Sequence, residues 1–459
     1  MRHRLTLFLL LGAVLVALGE WDAHSHRFRF ADGLNDAWRE FCVANAAGKI
    51  GDPAVTLVRI NDEYEPAIGD SFTQADYATI LRFVENFEPK TVAFEPNPVF
   101  DPAEPINQTF ELLKEAALPL PSLTLGAVAE NGQPPQSPEE EPKFPVLTSV
   151  EGDVSTLTPI TRVVAAPNPQ LLANGEPAFT GIELAGNPED AGERRVNLIA
   201  RHGDQVVPSF ILHAVANHAE IPLDQVSVQL PPAVTEPVVR VGDAYEIPID
   251  TRGRMKVYEH SGIDTAFYPS ISAFHLALTG DEDETIKKLL ANLETAFASL
   301  KTNLVVIGND RSEARVEKVS TVPRSLARSE LLTRAIATVQ SGRYIEWWPF
   351  WARLLGFAVI TALAAWAFRG SRKRAILWAI LGAFFYFAAS MVIFISSLAW
   401  APAFAPLALF GLMLVIALVL PDPAKDLQAF QAVEPESSPS PARTPSPGAG
   451  TPASPPATT

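Results

Sequence analysis

The sequence has very little cysteine: Cys42 is the single one among 459 residues. An intrachain disulfide is therefore excluded, so the fold cannot depend on the cross-links that stabilise small secreted domains. A chain of this length can bury enough apolar surface without them. Its soluble part is long enough for one large domain or two smaller ones.

Basic residues are also scarce. The chain has 36 Lys and Arg against 52 Asp and Glu, a formal net charge of −16. The acidic excess falls in residues 20–345, which we call the exported segment for reasons given below. This sign argues against nucleic acid, and against anionic lipid surfaces, as partners of that segment.

The sequence lacks the common catalytic motifs: a phosphate-binding loop, a nucleophile elbow, a dinucleotide fingerprint and an HExxH pair. His24 and His26 are close in sequence but have no nearby partner ligands, which favours interfacial histidines over a metal site. Asp283 and Glu284 fit the charged start of a helix better than a calcium loop. We therefore expect no enzymatic activity, no cofactor and no metal.

What the sequence does have is three long apolar runs, at 347–368, 375–398 and 401–420. Each has close to the 20 residues needed to cross about 30 Å of hydrocarbon. The sequence therefore predicts an α-helical transmembrane bundle, with the lipid bilayer as a partner. Arg353 interrupts the first run near its start, where its side chain can reach back to the interface.

The basic loop at 369–374 gives the orientation, because short basic loops stay in the cytoplasm. The first run then enters from outside, and Trp347, Trp348 and Trp351 fall at the outer interface, where indoles are favoured. Residues 20–345 are placed outside and the Pro-rich tail, 421–459, inside. This tail is predicted to be disordered, because it cannot bury enough apolar surface.

The N-terminus, residues 1–19, has a basic flank and an apolar run. It fits a transmembrane anchor or a secretory signal, and we favour the anchor because apolar character continues to Trp21. Both alternatives export the following residues. The natural setting is a bacterial inner membrane, with the large domain in the periplasm or outside the cell and the tail in the cytoplasm.

The exported segment begins as a βαβ unit: a strand at 54–60, a helix at 73–87 and a strand at 91–95. Thr73 and Asp76 form a capping pair for that helix. Proline and glutamate then accumulate at 118–145, which predicts a solvated loop within an enlarged stretch, 118–178. Later strands are predicted at 179–184, 195–199, 224–230, 255–258 and 303–307, and helices at 208–219, 284–300 and 325–340. The fold class is therefore an α/β mixed sandwich followed by the apolar bundle.

These elements carry a family resemblance. The motifs are Arg59-Ile60-Asn61-Asp62, the strand at 91–95, Gly192 with Arg194-Arg195-Val196, Ile247-Pro248-Ile249-Asp250 with Gly253, the strand ending at Gly308, and Gly342-Arg343. In this order, with one leading and three trailing apolar runs, the chain resembles the second type of CHASE domain, the cyclase- and histidine-kinase-associated sensory extracellular domain. The resemblance implies an extracytoplasmic sensory role. The chain departs from the family's pattern at Asn61 and Glu95, where aspartate is usual, and we expect no fused output domain.

Five residues are candidates for ligand binding. Asp62, Glu95 and Asp250 lie at the C-terminal ends of predicted strands, where α/β sheets often place ligands. Turn formation is the alternative for each of them. Arg194 and Arg195 could bind an acidic ligand or pair with a carboxylate of the domain itself.

Two functions remain open. The chain is either a sensory module that binds a small ligand or a protein partner, or a structural or docking factor of the cell envelope. In the sensory case, the last helix and the apolar runs would pass the change to another membrane protein or across a homodimer. A sensor should have a concave pocket with a few polar groups, and a docking factor an exposed apolar patch.

Overall fold

A computed structural model describes most of the chain. The described residues are 2–25, 34–35, 37–39, 41–42, 45, 53–66, 73–96, 108–131, 143–180, 195–230, 237–258, 268–279, 283–311, 327–342, 344 and 346–420. The predicted disordered tail, 421–459, lies outside them. The candidate residue Arg194 also lies outside them.

Within these residues the chain alternates strands and helices and then becomes helical. The strands are β1 (Val55–Ile60), β2 (Thr91–Phe94), β3 (Leu123–Glu130), β4 (Ser149–Gly152), β5 (Pro159–Ile160), β6 (Arg162–Ala165), β7 (Glu176–Phe179), β8 (Arg195–Asn197), β9 (Ile199–His202), β10 (Gln205–Pro208), β11 (Val226–Leu230), β12 (Val238–Val241), β13 (Tyr245–Pro248), β14 (Arg254–Lys256), β15 (Ser270–Ser272), β16 (Leu304–Asn309), β17 (Glu346–Trp347) and β18 (Ala399–Trp400). The helices are α1 (Arg2–Ser25), α2 (Gln74–Glu85), α3 (Gln108–Ala117), α4 (Phe210–His218), α5 (Ala273–Ala277), α6 (Glu284–Ala291), α7 (Glu294–Thr302), α8 (Arg328–Ser341), α9 (Phe350–Ala367), α10 (Arg372–Ser397) and α11 (Phe404–Val419).

A seven-stranded sheet organises the exported segment. Its order is β15-β1-β16-β2-β3-β6, and β7 also pairs with β3. All of these pairings are parallel except that of β6 with β3. Buried strands rich in Val, Leu and Ile are typical of a parallel sheet with both faces covered. The prediction of a mixed α/β fold is confirmed.

Helices cover both faces of this sheet. On one face α2, α3, α5 and α7 pack against side chains such as Val58 and Ile307. On the other face α4 and α8 pack against Leu57 and Val306, together with the smaller sheet β13-β12-β11-β4. Two further small sheets, β10-β9-β5 and β14-β8, complete this segment as the structure describes it. The large core explains why the fold does without a disulfide.

The predicted βαβ unit is confirmed, with one change. Thr73 and Asp76 form the expected capping box at the start of α2. The strands β1 and β2 are parallel but not adjacent, because β16 lies between them and pairs with both. The middle of the sheet is therefore completed by a strand from the far end of the exported segment.

The prediction of a loop at 118–145 was wrong for its first half. Residues Leu123–Glu130 form β3, which pairs with three strands. β3 contains several small residues, and at position 126 the close approach of the neighbouring backbone requires glycine. A Cβ at Gly126 would lie 2.7 Å from the carbonyl oxygen of Glu95. The rest of the enlarged stretch, up to residue 178, contains β4 to β7, so it is not an insertion without structure. The richest Pro and Glu run, 132–142, lies outside the described residues.

Three boundaries also differ from the prediction. The single helix at 284–300 is two helices, α6 and α7, because the backbone leaves helical geometry at Leu293. The strand ending at Gly308 continues to Asn309, and the glycine there allows α8 to approach: a Cβ on it would lie 1.9 Å from the Cβ of Ser329. Residues 195–199 split into β8 and β9 at Leu198.

The C-terminal part consists of apolar helices. Among the described residues, α10 is long and apolar enough to cross a membrane by length and composition, whereas His3–Gly19, Trp351–Ala367 and Phe404–Val419 are shorter apolar helices. By this criterion one of the three predicted spans qualifies, so the transmembrane bundle stays a prediction. At 1.5 Å per residue, the 26 residues of α10 extend about 39 Å.

The leading helix packs with the trailing helices. Phe8 lies edge-on to Phe368 with ring centroids 5.9 Å apart, and the Arg4 guanidinium donates a 2.6 Å hydrogen bond to the carbonyl of Leu420. Gly12 allows close approach, because a Cβ there would meet Leu409 at 3.2 Å. α1 is thus packed along α11 in this fold.

Candidate functional site

The carboxyl ends of three parallel strands meet at one edge of the large sheet. Ile60 at the end of β1 lies opposite Asn309 at the end of β16, and Ile307 lies opposite Phe94 of β2. The polar residues that follow these strands are therefore brought side by side. Crevices at this edge are where open α/β sheets bind ligands. We call Arg59, Glu95, Asp310, Arg311 and Arg328 the carboxyl-edge cluster.

Glu95 is the predicted candidate that this cluster includes. Its residue is only 6% exposed, and its carboxylate accepts a 3.2 Å hydrogen bond from the backbone N–H of Asn309. The guanidinium of Arg328, at the start of α8, lies 3.7 Å from the other carboxylate oxygen. A buried carboxylate needs such partners, because desolvation of an isolated charge is costly. Glu95 therefore links β2, β16 and α8.

A second acid and arginine pair lies in the same cluster and was missed by the sequence analysis. Asp310 follows β16 directly, and its carboxylate lies 3.8 Å from the Arg59 guanidinium. Its backbone N–H bonds to the carbonyl of Ile60 at 2.9 Å. Arg311 donates to the carbonyl of Tyr64 at 3.3 Å. Asp310 was missed because the predicted strand ended at residue 307, whereas β16 continues to Asn309 and Asp310 follows it directly.

Two buried tyrosines flank the cluster. Burial, and next the negative charge of Glu95, raise the pKa of Tyr77 above its ordinary value. Burial also raises the pKa of Tyr64, with a contribution from Asp76. Both phenols therefore stay protonated at neutral pH. The Tyr77 ring meets Phe94 edge-on at 5.5 Å, which makes it a fixed apolar wall beside the charges.

The predicted residue Asp62 has a different position. It lies exposed in the turn after β1, a turn closed by the bond from the Tyr64 N–H to the Asn61 carbonyl. The side chain of Asn61 accepts from the Ser272 hydroxyl at 2.8 Å and donates to Glu63. These contacts give residue 61 a role in fixing the turn to β15.

The structure brings Arg195 and Asp250 together, but as part of a turn. Asp250 accepts from the Arg195 guanidinium at 3.0 Å, from the Arg254 side chain at 2.9 Å, and from the backbone N–H groups of Arg252 and Arg254. Gly253 has φ +81°, and a Cβ there would lie 2.6 Å from the carbonyl of Ile199. This network holds the turn between β13 and β14 and joins it to β8. It supports the turn-forming alternative for Asp250 and the internal ion pair for Arg195.

A buried polar group lies between α4 and two strands. His213, 1% exposed, pairs through Nε2 with the carboxylate of Glu176 at 2.7 Å. Its Nδ1 lies 3.1 Å from the hydroxyl of Thr124, which also accepts from Asn217. The order resembles a nucleophile, base and carboxylate series. Thr124, however, is fully buried, so a substrate has no access and the group ties α4 to β3 and β7.

The exported segment touches the apolar helices directly. Tyr258, just after β14, is buried in one cluster with Phe394, Leu398 and Trp400, which we call the junction cluster. The backbone N–H of Tyr258 donates a 3.0 Å hydrogen bond to the hydroxyl of Thr338 in α8. α8 therefore contacts the carboxyl-edge cluster at one end and the junction cluster near the other.

The carboxyl-edge cluster brings two acids and three arginines together. Its two ion pairs have N–O separations of 3.8 and 3.7 Å, and carboxylates and guanidinium groups are the side chains that recognise small charged ligands. Among the described residues no group of His, Cys, Asp or Glu is arranged to hold a metal ion. Comparison with protein-family models, curated proteins and solved structures finds no match to this chain.

Proposed function

We propose that this chain is a membrane-anchored, outward-facing sensory protein of the CHASE type. The carboxyl-edge cluster would bind a small polar ligand, and α8 would carry the change to the trailing helices. The observation that supports this most is the position of α8. Arg328 in its first turn pairs with Glu95, and Thr338 near its end holds Tyr258 against the junction cluster.

The relay would not depend on the short linker alone. α8 is buried along most of its length, so it moves with the core of the segment. Tyr344, beyond its end, still packs against that core. A shift of α8 would therefore reach the trailing helices by two routes. One is the chain itself at 344–350, and the other is the contact through Tyr258.

Charge and aromatic residues favour the proposed orientation in a bacterial inner membrane. Arg4 and the basic loop at 369–374 lie at one end of the apolar helices, since Arg4 contacts Leu420 and Phe8 contacts Phe368. Trp348 and Trp400 lie together at the other end. Basic residues inside and indoles at the interface are the expected distribution. The packing of α1 against α11 favours the anchor over a cleaved signal.

Tryptophan fluorescence offers a direct test. All eight tryptophans lie outside residues 53–342, the part of the chain that contains the carboxyl-edge cluster. One of them, Trp400, belongs to the junction cluster. The full chain in detergent micelles would be screened against small polar metabolites, with unfolding followed by circular dichroism. A compound that binds the folded state raises the melting temperature. If the chain is a sensor, the same compound should also change the tryptophan emission.

Two variants make this test specific. Glu95→Gln should remove the ligand-induced shift in both signals, because it removes the charge that pairs with Arg328. Glu88→Gln is the control: its carboxylate is 77% exposed and, in the part of the chain that the structure describes, pairs with Lys301. A ligand that raises the melting temperature without changing the emission would contradict the relay.

A docking role is the second candidate, and α6 favours it. None of its side chains is buried, although Ile286, Leu289 and Leu290 form an apolar stripe. Exposed apolar surface of this kind is typical of interaction sites. Leu289→Glu should abolish complementation of a deletion strain if docking is the function, while Glu95→Gln should then be harmless. The sensory proposal predicts the reverse pattern.

A further inference from the structure

A small cleft lies at the outer end of the apolar helices. It is partly open to the surroundings, and its lining residues are Trp348, Arg353, Gly356, Phe357, Tyr386, Pro402 and Pro406. We call it the outer cleft. It lies at the opposite end of the helices from Arg4 and Leu420, on the side of the junction cluster.

Hydrogen bonds hold the aromatic walls of the outer cleft in place. The indole N–H of Trp348 donates to the carbonyl of Ala399 at 3.1 Å, and the Tyr386 hydroxyl donates to the carbonyl of Pro402 at 3.3 Å. The two rings lie 6.4 Å apart. Among the described residues that line the cleft, Arg353 carries the charge. The cleft is therefore an apolar, preformed cavity with a guanidinium in its wall.

The depth of Arg353 suits a headgroup. It is the fourth residue of α9, about 5 Å along the axis from the start of the helix. With α9 inserted as proposed above, this places the guanidinium at the boundary between headgroups and hydrocarbon. A guanidinium at that depth matches phosphate in both charge and geometry, because it donates two parallel hydrogen bonds.

We propose that the outer cleft binds the headgroup phosphate of an anionic phospholipid. Arg353 would bind the phosphate, and the first acyl carbons would lie along Gly356 and Phe357. The inference rests on the membrane placement in the proposed function but not on its sensory role. Through Trp348, such a lipid would contact the strand pair β17–β18 beside the junction cluster.

Four variants separate charge, shape and general effects. Arg353→Gln removes the charge, and Arg353→Lys keeps it without the two parallel donors. Gly356→Leu fills the cleft: a Cβ at Gly356 meets nothing within 4 Å, and leucine favours a helix more than glycine does. Gly411→Leu is the matched control, because a Cβ at Gly411, in α11 and away from the cleft lining, also meets nothing within 4 Å.

The test is native mass spectrometry of the full chain in detergent, with phosphatidylglycerol and phosphatidylcholine of identical acyl chains in competition. The wild-type chain should retain phosphatidylglycerol at least about fivefold over phosphatidylcholine, as expected for one basic residue near the lipid. Arg353→Gln and Gly356→Leu should abolish this preference, Arg353→Lys should keep part of it, and Gly411→Leu should keep all of it.

Three results would overturn the proposal. They are an unchanged preference in Arg353→Gln, an equal loss in Gly411→Leu and Gly356→Leu, and binding of glycerol phosphate as tight as that of the lipid. The last result would assign the cleft to soluble phosphate esters. Because retention is measured in detergent, it does not depend on the orientation or on a ligand for the exported segment. A failure here therefore differs from a failure of the sensory proposal, which the tryptophan emission tests.

Discussion

The hydrogen bond between Thr338 and Tyr258 gives the most direct test of the contact between α8 and the junction cluster. Thr338 is fully buried; its hydroxyl donates to the carbonyl of Arg334 at 2.7 Å and accepts from the Tyr258 N–H at 3.0 Å. Thr338→Val keeps the shape and removes the hydroxyl. The Arg334 carbonyl keeps its helical partner, but the buried N–H of Tyr258 loses its acceptor.

The expected cost is about 1–3 kcal/mol, the usual penalty for a buried donor left unsatisfied. For a domain of roughly 150–250 residues, each kcal/mol of lost stability lowers the melting temperature by roughly 2–4 °C. Because Tyr258 packs with Trp400, tryptophan emission should also shift to longer wavelength well below the melting temperature. Unfolding of the full chain in micelles would be followed by circular dichroism and fluorescence in parallel.

Thr333→Val is the matched control. Thr333 lies in the same helix, is also fully buried, and its hydroxyl donates to the carbonyl of Ser329 at 2.7 Å. That bond only duplicates a helical one, so the substitution should cost less than about 0.5 kcal/mol and leave the emission unchanged. Equal effects of the two variants would refute the assignment of Thr338 as the support of the junction cluster.

Two further predictions concern the polar group at His213 and the N-terminus. The hydrogen bond from His213 lowers the pKa of Glu176 from its ordinary 4.5, and this effect outweighs the opposing effect of partial burial. A depressed pKa stabilises the folded state above pH 4.5, and this stabilisation is lost as the pH falls through the folded-state pKa. Glu176→Gln should therefore melt at a lower temperature than the wild-type chain at pH 7, and the difference should vanish in acid. Melting temperatures that stay equally far apart from pH 7 to pH 3 would contradict this. If α1 is a retained anchor, intact mass of the purified chain should include residues 1–19, and a mass beginning after Gly19 would show cleavage.

Local patterns predicted the first part of the fold well. β1, α2 and β2 were found because each shows its own apolar period, and Thr73 with Asp76 marks a helix start by spacing alone. β3 was missed because the proline and glutamate of the following residues dominated the composition of the window. Its small residues are explained by a tertiary contact, that of Gly126 with the Glu95 backbone, which composition does not show.

The candidate site was predictable only in part, since it joins distant parts of the chain. Glu95 follows its strand and could be selected by position, but its partner Arg328 lies more than 200 residues away. The same holds for Arg59 and Asp310. A single sequence shows which residues end strands, whereas the strand order decides which ends meet. The placement of β16 between β1 and β2 made this cluster, and no local period predicts it.

The contact between Arg4 and Leu420 has a consequence for biogenesis. These residues are 416 positions apart, so α1 is made first and its packing partner last. At about 5–20 residues per second, synthesis of the intervening chain takes roughly 20–80 s. During that time the glycine-containing surface of α1 has no α11 to pack against. The packing of α1 against α11 therefore forms late, and residues 53–342 have time to fold before the two helices meet.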